Sequence, residues 1–118
     1  PDNYSVKLLS QFVEDMDLTD LYSTYSKIRE NQVSPMNMLK IMLYGYMNGL
    51  YSSRDIETAC RRNINFMFLL EGASPPDHST FARFRSLHFA PCAKKLLAEV
   101  VLCQYLGHRK SNFFMLHF

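Results

Sequence analysis

The sequence predicts an all-α fold: one compact domain of six or seven helices that contains a helix-turn-helix-like tri-helical unit. Three observations carry this. Apolar residues recur at three- and four-residue spacing along most of the chain. Helix start and stop signals punctuate it, while no run alternates in the manner of a half-buried strand. The composition is 47% hydrophobic and 20% charged, with only 4 Gly and 5 Pro in 118 residues. Such a chain has core material and few loops, and it can fold as one domain without disulfides or metal. The expected division is a helical domain over 1–107 and a short tail, 108–118, that is not a domain.

The elements follow in order. Val6, Leu9, Phe12, Val13 and Met16 form one helical stripe, with Ser5 as the expected N-cap. A short helix is expected from Thr19 to Tyr25, with Asp17 or Thr19 near its cap, and the polar stretch Ser26 to Val33 connects it onward. Ser34 followed by Pro35 is a strong start signal, because Pro at the first helical position gives up an N–H that has no helical partner anyway. From there to Asn48 almost every face is large and apolar, including Met36, Met38, Leu39, Ile41, Met42, Leu43, Tyr44, Tyr46 and Met47. A helix apolar nearly all round is packed on several sides, so this one is the expected central strut. Leu39, Met42, Leu43 and Tyr46 should be deeply buried, and Asn48-Gly49 marks the stop.

Ser52 or Ser53 caps the next helix, which runs to about Arg61. Asp55 and Glu57 sit in its first turns, and Arg61 and Arg62 in its last, as the helix dipole favours. Asn63 breaks the run, and Ile64, Phe66, Met67, Leu69 and Leu70 supply a short apolar helix. Glu71 to Pro76 reads as a loop. Asp77 then caps a helix from His78 to His88, and Pro91 starts a last one. Leu96, Leu97, Val100, Val101 and Leu106 are its expected buried stripe, and Gly107 its stop. The tail, Arg109 to Phe118, passes from basic and polar to almost wholly apolar. Folding back, docking on a partner, or being the end of a truncated frame are all open for it.

Charge and cysteine content narrow the functional classes. The net charge of +2 divides into −3 over residues 1–30 and +5 over residues 31–118, which admits a polyanionic partner without requiring one. Cys60, Cys92 and Cys103 form no CxxC pair, so a structural zinc site is not expected. Their odd number suits a reducing cytoplasm, where they pack as small hydrophobes. No apolar run nears the roughly 20 residues of a membrane span. The start, Pro1-Asp2-Asn3-Tyr4, lacks Met and lacks the basic-then-apolar order of a signal peptide. The expected location is cytoplasmic, with no membrane partner.

Residues 52–85 hold three short helices in tight succession, the layout of a tri-helical DNA-binding module. In the third, spacing at 100° per residue puts Phe81, Phe84 and His88 on one side. Ser79, Ala82, Arg83 and Ser86 fall opposite, with Thr80 and Arg85 at the flanks. A small hydroxylated face around an arginine can enter a major groove, where a guanidinium bridges the O6 and N7 of guanine. An ordinary solvated face has the same composition, and both readings stand. His78 beside Asp77 suggests a metal or catalytic pair, but neighbours at a helix start diverge, so capping by Asp77 is the expectation. The Tyr44, Tyr46 and Tyr51 group is expected to pack in the core. No nucleophile elbow, phosphate-binding glycine loop or Cys–His pairing occurs.

Two blocks carry a family resemblance. The run from Pro35 to Glu57, including Leu39-Lys40-Ile41-Met42-Leu43-Tyr44-Gly45-Tyr46 and Leu50-Tyr51-Ser52-Ser53-Arg54-Asp55-Ile56-Glu57, resembles the N-terminal domain of bacterial insertion-sequence transposases. Ala59 to Asn63, then Pro76-Asp77-His78-Ser79-Thr80-Phe81-Ala82-Arg83-Phe84-Arg85, looks like that domain's second signature. The resemblance spans about Ser5 to Leu106. It implies that the family's metal-dependent DDE catalytic core, with its divalent metal ions, would lie after this chain. The chain alone is therefore expected to be no enzyme, to bind no cofactor, and to show no nuclease or strand-transfer activity.

Two functions follow as expectations. In the first, the domain binds double-stranded DNA at the terminal inverted repeats of an insertion sequence during DNA transposition, a form of DNA recombination. Its contacts would come from Arg54, Arg61, Arg62, Ser79, Thr80, Arg83, Arg85 and Ser86. In the second, it is a helical subunit-pairing module, forming a homodimer or joining other transposase subunits.

Overall fold

The computed structural model describes residues 2–28 and 32–106, and the fold is all-α. Helix α1 spans Asp2–Glu14, α2 Thr19–Ser23, α3 Pro35–Met47, α4 Ser53–Arg62, α5 Ile64–Leu70, α6 His78–Arg83 and α7 Ala90–Leu106. A π-helical segment, Phe84–Phe89, joins α6 to α7. Among the described residues there is no strand, and no helix is long and apolar enough to cross a membrane. The tail 108–118, the Gly107 stop and the side chains of Cys103 and Leu106 lie outside the described residues.

Helix α3 is the central strut, flanked by α1, α4 and α5. Its start is built as the Ser34-Pro35 signal requires: the Ser34 hydroxyl accepts from the Asn37 N–H at 3.1 Å, with Pro35 in the first turn. Its end is a Schellman turn. Gly49 N–H donates to Tyr46 O at 3.1 Å and Leu50 N–H to Gly45 O at 2.8 Å, with Gly49 at φ 77°, a left-handed turn that suits glycine. Gly45 serves packing instead. A β-carbon there would stand 3.2 Å from Ile56 Cγ1 and 3.3 Å from Leu50 O, so a bare backbone lets α4 approach.

Leu39, Met42 and Leu43 are buried, as expected of the strut, while Tyr46 is only half-buried. One charged side chain lies among them. Lys40 is 2% exposed, and its ammonium donates to Glu14 Oε2 at 2.7 Å and Ser10 Oγ at 2.8 Å on α1. A buried ammonium needs such partners, so this contact fixes how α1 lies along α3.

Four expectations change. Ser5 is inside α1, which begins at Asp2, because the first turn extends past the apolar stripe that suggested its limit. Helix α2 stops at Ser23, with Thr24 as its C-cap, although Asp17 does sit at its start, accepting from Thr19 N–H and Oγ1–H at 3.1 and 2.7 Å. Pro91 does not begin a separate helix. The chain stays helical from His78 to Leu106, and Ala90 N–H donates to Arg85 O in the i→i−5 pattern of a π turn. Pro91 has no N–H to donate to the preceding turn, and a π turn just ahead of it lets the helix run on without a break. Finally, only part of the α7 stripe is covered: Leu96 and Val100 are buried, but Leu97 and Val101 are 45% and 62% exposed. Helix α7 is held at α2, where Lys95 pairs with Asp17 and Asp20 at 3.5 and 3.2 Å and Glu99 accepts from Asp17 N–H. Its far side faces away.

Candidate nucleic-acid interface

The tri-helical unit α4–α5–α6 is shaped by local signals. Ser52 Oγ accepts from Asp55 N–H at 3.1 Å and opens α4. Asn63, extended at φ −103° and ψ 123°, closes α4 and opens α5 in one residue, its side chain accepting from Asn65 N–H at 2.8 Å. Helix α5 ends on Glu71 in the left-handed region at φ 52°, and that carboxylate accepts from Asn37 Nδ2 on α3. Asp77 caps α6 by accepting from Thr80 N–H at 2.9 Å. Helix α4 packs against both α5 and α6, with Ile56, Cys60, Phe66, Leu69, Phe81 and Phe84 in the shared core.

Phe81 and Phe84 anchor α6, and Ser79, Ala82, Arg83 and Ser86 face solvent. The hydroxyls on this face are already engaged. Ser79 Oγ–H and Thr80 Oγ1–H both donate to Asp77 Oδ1, at 2.9 and 2.8 Å, and Ser86 Oγ–H donates to Ala82 O at 3.1 Å. What they offer outward is acceptor lone pairs. Arg83 differs, because its guanidinium is exposed and has no hydrogen-bond or ion-pair partner among the described residues. It is the free donor of this face.

On α4, Arg54, Arg61 and Arg62 are exposed. Arg61 makes a 3.4 Å pair with Glu57 across one helical turn, whereas the Arg54 and Arg62 guanidinium groups are unpaired among the described residues. Glu57 also accepts from the His78 backbone N–H at 3.2 Å and lies 3.1 Å from His78 Nδ1. These contacts hold its carboxyl below the ordinary range, the His78 hydrogen bond most strongly. The caps at Asp77, from the Thr80 backbone first and then the Thr80 and Ser79 hydroxyls, push its carboxyl down to about 2. The Glu57–His78 contact thus puts a carboxylate where α4 meets α6.

Arg85 differs from the other arginines in burial. It is half-buried, its guanidinium carbon 5.7 Å from the centre of the Tyr46 ring. Its Nε and Nη2 are closed off from solvent without a hydrogen-bond partner among the described residues. Among the tyrosines, Tyr44 is buried and its hydroxyl accepts from Asn65 Nδ2 at 3.2 Å, but Tyr51 is 65% exposed, against the expectation of core packing. The cysteines Cys60 and Cys92 are free and buried as expected, and burial raises both thiols, Cys60 to about 12.

Sequence reasoning missed three features. Lys40 was legible only as a lysine inside an otherwise apolar helix. The Glu57–His78 contact joins residues 21 apart, and no local pattern announces it. The third is on the flank of α6 away from α4, where Thr80, Arg83 and His88 line a cleft of about 220 Å³ together with Tyr25.

No three His, Cys, Asp or Glu side chains among the described residues come together as a metal-holding group. No curated protein and no solved structure matches the chain. A family model described as a transposase domain (DUF772) matches residues 1–87, through α6 and into the π turn. By that match, over most of its length, the chain belongs to the transposase domain family (DUF772).

Proposed function

We propose that this domain binds the double-stranded DNA of transposon ends, the terminal inverted repeats of an insertion sequence, with α6 as the helix that reads the major groove. The observation that supports it most is Arg83. It is an unpaired, exposed guanidinium in the middle of a face otherwise made of small side chains, and it is anchored from behind by Phe81 and Phe84. Small neighbours let a helix lie deep in the groove, and a guanidinium can take both acceptors of a guanine edge. Arg54 and Arg62 on α4 supply backbone contacts beside it, with Arg61 weaker because Glu57 already holds it. Ser79, Thr80 and Ser86 act as acceptors, and Arg85 positions the helix through Tyr46 more than it touches DNA. Strand cutting and its metal ions belong to a catalytic core outside these residues, and the working compartment is the bacterial cytoplasm.

The test is a mobility-shift titration of the chain with end DNA and with scrambled DNA of equal length, at several salt concentrations. The reading expects tighter binding to end DNA and a falling affinity with salt on both. Equal affinity for the two DNAs would remove sequence reading from α6.

A second reading, subunit pairing, is favoured by a separate observation. Leu97, Val101 and Leu102 on α7 are 45%, 62% and 56% exposed, and Ile64 on α5 is 77% exposed. Uncovered apolar side chains of this size, clustered on helices, suit a protein partner. Sedimentation of the chain alone tests it: a dimer that Val101→Asp dissolves supports pairing, and a monomer at high concentration opposes self-pairing.

A further inference from the structure

We propose that the cleft between α2, α3 and the π turn holds one unpaired nucleotide, its base against the Tyr25–His88 stack and its phosphate at Arg83 and Lys27. The nucleotide is one of a bound DNA strand if the end-binding reading holds, on which that part rests; the same chemistry would also admit a free mononucleotide.

The π turn places His88 here. Its ring lies on that of Tyr25 with centroids 3.7 Å apart and planes within 6°, so the two rings form a face-to-face stack that a base can extend on an outer face. The proton positions of His88 follow from its bonds. Thr24 Oγ1–H donates to Leu21 O at 2.7 Å, which uses its only proton. The 2.8 Å contact between Thr24 Oγ1 and His88 Nδ1 therefore has Nδ1–H as donor. His88 Nε2 is left as an acceptor with no partner among the described residues, able to take a proton from a group lying in the plane of the imidazole. Desolvation lowers the His88 pKa, which favours this neutral form.

The surroundings match a nucleotide in polarity, charge and size. Val33, Met38 and Phe84 give the cleft an apolar floor. Arg83 lines it too, and Lys27 stands with Arg83 in the adjoining recess, both exposed and both without an ion-pair partner among the described residues. Among the described residues no Asp or Glu lines it. Burial lifts the Tyr25 phenol to about 12, so it stays uncharged beside a phosphate. At about 220 Å³ the cleft falls below the roughly 300 Å³ at which pockets for drug-sized ligands begin. One base or one phosphate is the scale of group it admits. Arg83 belongs to both the outer face of α6 and this cleft, so a strand tracked along α6 could deliver a single unpaired unit into it.

The experiment uses the 118-residue chain and three duplexes of one sequence: fully paired, carrying a one-nucleotide 2-aminopurine bulge, and carrying an abasic bulge. Free deoxyadenosine monophosphate is titrated separately, followed by the Tyr25 and His88 ring resonances in NMR. The expected result is about ten-fold tighter binding of the 2-aminopurine bulge than of the other two, the gain that stacking one base on an aromatic ring gives, with a change in 2-aminopurine fluorescence on binding. Tyr25→Leu should abolish that gain and leave paired-duplex affinity within about two-fold. Ser74→Trp, at an exposed loop position lining the cleft, should do the same by filling it, without touching the core. Equal affinity for all three duplexes overturns the cleft proposal and leaves end binding standing. Ring shifts with the free nucleotide, lost in Ser74→Trp, and no binding of any duplex would keep the cleft and reject end binding. Absence of both duplex and nucleotide binding rejects the two together.

Discussion

Removing the Glu14 carboxylate should cost the protein more than its surface position suggests. Glu14 is 45% exposed, but its partner Lys40 is 2% exposed and, among the described residues, has only Glu14 Oε2 at 2.7 Å and Ser10 Oγ at 2.8 Å to receive its protons. Glu14→Ala leaves a buried ammonium with one neutral acceptor. Breaking a fully buried pair from one side costs about 3–5 kcal/mol. Here water can enter where the half-exposed carboxylate stood, which reduces the expectation to about 2–3 kcal/mol. Lys40→Met acts differently, because it removes the buried charge, keeps the volume and leaves Glu14 hydrated. It should change stability by less than about 1.5 kcal/mol, and Lys40→Met/Glu14→Ala should lie close to Lys40→Met alone. Urea unfolding of the four proteins at pH 7 gives the cycle. The same pair sets a pH dependence. Lys40, first by its hydrogen bond and then by its charge, holds the Glu14 carboxyl below its ordinary value. A depressed carboxyl stabilises the fold above its unfolded pKa, about 4.3, and that contribution fades as pH falls through the lower folded value. Lys40→Met should remove this acid limb. A Glu14→Ala cost under about 0.5 kcal/mol, or Lys40→Met costing as much as Glu14→Ala, would refute the reasoning.

Three further outcomes are expected. Leu43→Ala, at a 3% exposed position in α3, should cost about 2–5 kcal/mol in urea unfolding, and a loss under about 1 kcal/mol would contradict the central role of α3. Arg85→Met keeps an unbranched stem over Tyr46 while deleting the two enclosed donors without partners. It should be neutral or stabilise by about 1 kcal/mol, and a clear loss would show that those nitrogens have partners in solution. Asp77 has its carboxyl pushed down to about 2, so the helix start it caps should hold above pH 4 and loosen as pH falls towards 2. Asp77→Ala should lower Tm at pH 7 and flatten the pH dependence of Tm between those limits.

What was legible in the sequence was what short-range physics decides. Ser34, Ser52 and Asp77 act as caps because a side-chain oxygen reaches an N–H three residues ahead. Phe81 and Phe84 against Ser79 and Arg83 followed from helical periodicity alone. Pro91 misled for the same local reason. Read by itself it starts a helix, but the π turn before it lets one helix continue through. The α7 stripe was half right, since periodicity says which residues share a face and not whether a neighbour covers that face. Lys40 with Glu14, His78 with Glu57, and Tyr25 with Thr24 and His88 are contacts between elements. They depend on how helices cross, which no window along the chain contains.

The central claim, that α6 reads DNA while α4 holds its backbone, is tested most directly by comparing Arg83→Ala with Arg62→Ala on one pair of duplexes, end and scrambled, across a salt series. Both side chains are exposed, so neither change should disturb folding. Arg83→Ala should remove about 1–3 kcal/mol of the discrimination between the two DNAs. Arg62→Ala should weaken both equally and reduce the salt slope by about 0.9. Equal losses on both DNAs for Arg83→Ala, or no binding of either DNA at moderate salt, would contradict the account.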